Sequence, residues 1–484
     1  MCAKLKSKDT DNNSNSNSDV KITKESESLT DYTKKCMVDY GKYTLQDRAI
    51  PELKDGLKPI HRRLVWTGYT GGYSYSGPTK KCAKIVGECL GNYSPNGDQP
   101  VYGALVTLAT SANPLFIPQG NFGCKPTGDD EASMRYTEAK LSLLSEKYLL
   151  DKDYIAVTPM VPNYDGTKEE PIYLPAKIPV ILTQGIEGIA TGASTNIPSF
   201  SLESVRELTL TALKKKKCTS KMCLDILEFK FADGGKVYSN SSDILSMFET
   251  GEGKIFVAPT YEYEKKTHSV VLTSYSPRLK LDKVFAQSLK IPGVSDIENQ
   301  TGTKNKSAQI RLVFKLKKEA DAKKSVKEII QSVGCSLPFS IMITDRKDNG
   351  DTEFRYTSIP NIVNDWISWR LNFEVKVVNR LIEIEKEKIQ RWNWLLWAID
   401  HLELIFKALK TTDPDGYLIK KGKITEEHAK YILDQQTRRL SKLSGDELKA
   451  KVKASKKIVV ELKNDISNKD NISKRVIKGL KELS

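Results

Sequence analysis

Arg135-Tyr136 lies thirteen residues beyond the end of a Gln119-Gly-Asn-Phe-Gly123 loop. Farther upstream is a basic run, Arg48-Ala-Ile-Pro-Glu-Leu-Lys-Asp-Gly-Leu-Lys-Pro-Ile-His-Arg-Arg63. A free phenol has a pKa near 10, so Tyr136 is a weak nucleophile at neutral pH unless its surroundings favour the phenolate. The Arg135 guanidinium, and that of Arg48 if folding brings it near, would favour that ion and neutralise charge building on a phosphate under attack. A phosphotyrosyl ester keeps the energy of the phosphodiester it replaces, so the break reseals without an external high-energy compound. Lys58, His61, Arg62 and Arg63 form a segment suited to phosphate contacts that position a backbone without reading bases. Taken singly, an Arg-Tyr dipeptide is an ordinary surface pair and a basic run is a solvated helix start. The combination and its spacing carry the weight.

Several elements must position these groups. Asp31 to Tyr43 has helical character. Cys82, Ile85, Val86 and Cys89 fall at helical spacing, and Gly91 to Asp98 breaks the pattern. Asp98 reads as an N-cap with Pro100 in the first turn, and Val101, Ala104, Leu105 and Leu108 form the next apolar stripe. Helix, short turn, helix is either a DNA-reading pair or an ordinary helical hairpin. Gly120 to Gly128 is a loop, and a helix bearing Leu141, Leu144 and Tyr148 follows. Ile178 to Leu182 reads as a β-run, and Gly188 to Pro198 as a loop pressed close to a neighbour. A helix over Leu202 to Leu213 and strands at Lys254 to Pro259, Ser269 to Thr273 and Ile310 to Lys315 make the centre mixed α/β. Trp366, Trp369, Phe373, Val377, Leu381 and Ile384 step along one long helix. Asp413 to Gly422 breaks the pattern, and Ala429, Ile432, Gln436, Leu440 and Leu443 begin a returning helix that resumes at Leu448.

The 484 residues call for about three domains. With 76 Lys and Arg against 61 Asp and Glu, the net charge of +15 favours an anionic partner. No apolar run approaches the roughly 18 residues of a membrane span. Residues 1–28 read as a polar, disordered tail with no leader character, and a cytoplasmic location is expected. The eight cysteines are scattered, and Cys218-x4-Cys223 lacks a second pair or nearby histidine to complete a metal site. No phosphate-binding G-x-x-x-x-G-K-[ST] loop is present. Asp151-Lys152-Asp153 has acidic-pair spacing but follows a helix and reads as surface charge.

These motifs resemble the breakage–reunion (A) subunit of bacterial type IIA DNA topoisomerases, gyrase and topoisomerase IV, from about residue 29 onward. The resemblance implies an α+β, multidomain fold: a winged-helix DNA gate over 29–170, an α/β tower over 171–358, and a long antiparallel coiled coil with a small dimerisation knob over 359–484. It implies that Tyr136 attacks DNA and becomes linked to a 5′-phosphate, assisted by Arg135 and Arg48. Lys58, His61, Arg62 and Arg63 match its backbone-binding segment, and Ile197 its apolar wedge between base pairs. It also implies a homodimer that binds double-stranded DNA and joins a B subunit in an A2B2 assembly. ATP and Mg2+ would enter through that partner, and this chain would bind neither cofactor nor metal.

Two departures stand out. Ser94-Pro-Asn96-Gly-Asp98 replaces the family's His-Pro-His-Gly-Asp, so Asn96 can hydrogen-bond a phosphate but carries no proton for it. Gln99 and Gly103 replace the serine and acid that anchor quinolones, which implies weak drug sensitivity. With no β-propeller in the sequence, relaxation and decatenation are expected rather than supercoiling. The alternatives are a structural coiled-coil protein, a non-catalytic DNA-binding paralogue of the same fold, and a gyrase-type subunit.

Overall fold

Ser28 accepts the Asp31 amide and opens α1 (Leu29–Thr44), which widens at its end into a π-helical turn, Leu45–Ala49. The computed structural model describes residues 28–124, 127–277, 279–304, 307–349, 351–434 and 445–483. All of the expected polar tail except Ser28 lies outside them, as do Gln436, Leu440 and Leu443 of the expected returning helix. Helix α2 (Pro59–Thr70) starts on a proline, whose missing N–H is no loss in a first turn. β1 (Lys80–Lys81) runs directly into α3 (Cys82–Asn92), and α4 (Asp98–Thr110) follows a short turn. Both apolar stripes face one core: Cys82, Ile85, Val86, Cys89, Val101, Leu105 and Leu108 are buried in it. Gly97, at φ 108°, takes the cap position expected of Asp98, which lies instead in the first turn, where its charge suits the helix dipole.

β2 (Phe116–Gln119) and β3 (Glu138–Leu141) join β1 in an antiparallel sheet of order β1-β3-β2. Leu141 therefore ends a strand opposite Phe116 instead of entering a helix. The Ser142 hydroxyl caps the next helix, α5 (Leu143–Leu149), one residue later. After the short α6 (Lys152–Ile155), β4 (Met160–Pro162) and β5 (Glu169–Pro171) form a hairpin. The β-run expected at Ile178 to Leu182 is a buried 3-10 turn, Val180–Leu182, entered through Pro179. β6 (Ile186–Ala190) and β7 (Ala193–Ile197) then pair, so the expected Gly188 loop is mostly hairpin. Its close approach is real, for a Cβ on Gly188 would lie 2.2 Å from the Ala49 carbonyl oxygen.

Helices α7 (Leu202–Lys215), α8 (Ser220–Ile226) and α9 (Ser241–Thr250) cover a second core. β8 (Lys236–Val237), β9 (Glu252–Ala258) and β16 (Cys335–Ser340) extend the hairpin into a sheet of order β6-β7-β16-β9-β8. A four-stranded antiparallel sheet has the order β10 (Tyr261–Glu264), β11 (Ser269–Leu272), β15 (Leu312–Leu316), β12 (Val294–Asn299). Helices α10 (Leu281–Ser288) and α11 (Ala322–Val333) pack on it, and β13 (Gly302–Lys304) pairs with β14 (Ser307–Gln309). β17 (Met342–Arg346) and β18 (Thr352–Tyr356) form a hairpin that reaches the π-helical turn.

Helix α12 (Ile359–Asp400) buries Trp366, Phe373 and Val377 of the expected seam. The helix Gly445–Asp465 returns along it, with Val459 and Leu462 against Val378 and Ile382. Between them α13 (Leu402–Ala408), α14 (Pro414–Gly422) and α15 (Glu426–Leu433) enclose a small core around Leu395, Ala408, Leu418 and Ile432. Asp413 to Gly422, expected as a break, is a helix: Asp413 caps it and Pro414 takes the first position. A last helix, Lys469–Glu482, carries Val476 and Leu480 back into the first core. The architecture is α+β. Among the described residues no helix is long and apolar enough to cross a membrane.

Candidate functional site

Tyr136 sits in the turn that leads into β3. Its own amide donates to Ser133 O at 2.8 Å, and the turn is tied to the start of α3. Cys82 N–H donates to Thr137 O at 2.9 Å and Ala83 N–H to Met134 O at 3.0 Å. Thr137 is wholly buried, its hydroxyl 2.8 Å from the Tyr102 phenol of α4. The backbone on either side of Tyr136 is thus fixed, while its side chain is 64% exposed. Among the described residues nothing hydrogen-bonds its phenolic oxygen. The Arg135 guanidinium lies 4.9 Å from the centre of the Tyr136 ring. Lys81 adds a further cation, with Nζ 3.5 Å from Tyr136 O and 3.0 Å from the Glu138 carboxylate. Lys81 was missing from the sequence-derived set, and its position opposite Glu138 follows only from the β1–β3 register.

A second group forms around the π-helical turn. Arg48 is exposed there and has no ion-pair partner among the described residues. Lys58, half-buried, donates to Glu187 O on β6, and burial holds its ammonium below the usual lysine range, with Glu187 opposing and Arg48 adding to that shift. The β6–β7 hairpin leaves Ile189 87% exposed, on the face opposite the one that Gly188 presses against Ala49. No hydrogen bond, ion pair or ring contact links Arg48 to Tyr136 within the chain, among the described residues.

Three expected DNA contacts are relocated. Arg62 is only 4% exposed and donates to Asp55 from Nε at 2.6 Å and Nη2 at 3.0 Å, and to Leu57 O at 3.1 Å. It is a core cation neutralising a fully buried carboxylate. Arg63, half-buried, is clasped by both Glu170 oxygens at 2.8 Å. Ile197 is 1% exposed and pairs across the hairpin with buried Ile186, so it is core and not a wedge. The strand period of two carried the signal: side chains on the face of Ile197 point inward, and Ile189 lies on the opposite face. His61 is held neutral, its imidazole pushed down to about 3 by burial and then by Lys58 and Arg62. Asn96 is exposed in the turn before α4, next to a buried Ser94, and no contact joins it to Tyr136 among the described residues.

The family model for the A subunit of DNA gyrase/topoisomerase IV matches residues 48–481. The chain belongs to that family. The A subunit of DNA topoisomerase 4 from Bacillus subtilis is 30% identical over 466 residues, which cover 92% of this chain and 56% of that protein. The A subunit of DNA gyrase from Campylobacter fetus is 32% identical over 453 residues, 89% of this chain and 50% of the relative. For the A subunit of DNA topoisomerase 4 from Neisseria gonorrhoeae the values are 29% over 449 residues, 86% and 58%. The chain thus spans about half the length of the gyrase and topoisomerase A subunits it matches.

Elsewhere, among the described residues, no group of three His, Cys, Asp or Glu side chains converges as a metal site would need. Cys218 and Cys223 approach to 3.5 Å between sulfurs, buried, with no third ligand. Asp151, expected as surface charge, is instead half-buried: it caps α6 and pairs with Lys177 at 2.6 Å, while Lys152 and Asp153 are exposed.

Proposed function

We propose that this chain is the breakage–reunion subunit of a bacterial type IIA topoisomerase and that Tyr136 is its nucleophile. The Tyr136 oxygen attacks a backbone phosphorus as the bond from that phosphorus to the 3′-oxygen breaks. The enzyme keeps the 5′-phosphate, and the freed 3′-hydroxyl later reverses the exchange. What carries this reading is the exposed Tyr136 phenol, without a hydrogen-bond partner among the described residues, fixed at its backbone, with a guanidinium 4.9 Å from its ring in a chain of this family. Arg48, Lys58 and Arg135 neutralise the phosphates. Ile189 takes the wedge role, because an apolar side chain 87% exposed on a hairpin beside those cations can reach a base step. The helix pair α3–α4 with the β1-β3-β2 sheet supports a winged-helix gate.

Two copies cleave one strand each and pass a second duplex, giving relaxation and decatenation. Exposed Phe406, Leu409 and Ile419 in the knob support self-association. As in the resemblance to the family, ATP and Mg2+ would come with a B subunit, and no step here is routed through them. The relatives carry both names, and a supercoiling assay beside a decatenation assay separates a gyrase role from a topoisomerase IV role.

The test adds a B subunit, ATP and Mg2+ to catenated DNA and denatures the mixture. Wild type gives polypeptide joined to a 5′ end, and Tyr136→Phe gives none. Absence of the adduct in wild type favours the non-catalytic paralogue, to which serine and asparagine at 94 and 96 already lend one observation.

A further inference from the structure

Arg48 is the fourth residue of a five-residue π-helical turn. Such turns are rare, single insertions that often mark functional sites, and unusual backbone persists only where its surroundings impose it. Two contacts impose this one. On one side Arg346, at the end of β17, puts Nη2 2.5 Å from Gln46 O and 3.5 Å from the Asp47 carboxylate. On the other, β6 presses on the Ala49 carbonyl so closely that only glycine fits at 188. The residues on both sides of Arg48 are therefore held, while the Arg48 side chain projects into solvent.

Arg346 is itself fixed by Glu52, a residue of the basic run that the cleavage chemistry leaves unused. The Arg346 amide donates to the Glu52 oxygens at 3.1 and 3.3 Å, and the Thr344 hydroxyl lies 3.3 Å from the same carboxylate. Lys54 joins Glu52 at 3.3 Å to Asp345 at 2.6 Å. Glu52 is 1% exposed, so solvent cannot replace these bonds.

We propose that Arg346, anchored by Glu52, is a positioning residue that aims Arg48 at the phosphate undergoing exchange; this rests on the breakage–reunion reading. A turn with one extra residue has a rival geometry, the ordinary α turn, in which the side chain at 48 would point elsewhere. Arg346 fills the wide turn's carbonyl and adjacent carboxylate and so selects the π form. The Arg346 guanidinium contacts Gln46 and Asp47 of the turn, so its effect passes through Arg48.

The experiment is a double-mutant cycle in the holoenzyme with its B subunit, reading single-turnover cleavage, DNA affinity and thermal melting. Arg48→Ala slows cleavage by about 100-fold, the usual loss for a transition-state donor. Arg346→Met slows it by about 10-fold with DNA affinity unchanged, as misaiming does. The double variant is no slower than Arg48→Ala alone. Arg346→Lys, which keeps the charge and one of the two contacts, recovers part of the rate and serves if the Met variant misfolds. Multiplicative losses in the double variant, or a normal rate in Arg346→Met, overturn the inference. A normal rate in Arg48→Ala overturns it together with the role of Arg48, whereas a wild type without adduct overturns the breakage–reunion reading itself.

Discussion

Arg62 and Lys58 lie four residues apart in one basic run and use their charge differently. Arg62 is spent on Asp55 inside the core, and removing one partner of a buried pair leaves the other charged and desolvated. Arg62→Ala should cost about 3–5 kcal/mol of stability, seen in chemical denaturation, and should leave the salt dependence of DNA binding unchanged. Lys58→Ala should do the reverse, lowering the slope of log affinity against log salt by about 1 with little change in stability. Equal salt slopes for wild type and Lys58→Ala would remove Lys58 from the interface. His61 adds no charge to that interface while it is neutral. Its folded pKa of about 3 lies below the unfolded value near 6.5, so the unfolded chain binds the proton more readily. The stability it contributes is therefore complete above pH 6.5 and is lost as pH falls toward 3. His61→Gln should flatten the acid limb of the stability curve between those limits, and an unchanged limb would show that the ring titrates normally.

The β6–β7 hairpin separates packing from reach within a dozen residues. Ile197→Ala removes a core side chain and should cost about 2–5 kcal/mol. Ile189→Ala should leave melting unchanged and reduce DNA bending, measured by end-to-end energy transfer on a labelled duplex, along with cleavage. Normal bending by Ile189→Ala would mean that no wedge operates there. This hairpin also shows where the sequence was legible. The stripes of α3, α4 and α12 could be read because helical periodicity is local and repeats over several turns. The hairpin could not, because glycines at 188 and 192 suggest a loop while the pairing partner of each strand lies across a turn of unknown register. Likewise Asp413-Pro-Asp-Gly carries break residues that serve equally as a helix start. Tyr136 and Arg135 were legible from their motif, and both prove exposed. The burial of Arg62 was not, since its partner Asp55 is seven residues upstream and Leu57 and Leu174, whose backbone groups complete the network, reach it only through folding.

For the whole molecule, one chain holds one exposed Tyr136, and a duplex has two strands to break. The long helix α12 and its returning partner carry the knob away from the first core, and that knob exposes Phe406 and Leu409. Isolated surface apolar residues need no explanation, but several on one small unit favour a symmetric contact. Phe406→Asp with Leu409→Asp should weaken self-association in sedimentation velocity without lowering the melting temperature of the body that bears Tyr136. Mixed dimers then test the division of labour. When wild type and Tyr136→Phe are unfolded together and refolded, the heterodimer should hold one competent tyrosine and yield nicked DNA with protein on one 5′ end. Double-strand breaks from a purified heterodimer would require one tyrosine to serve both strands, which a phenol already esterified to a 5′-phosphate cannot do.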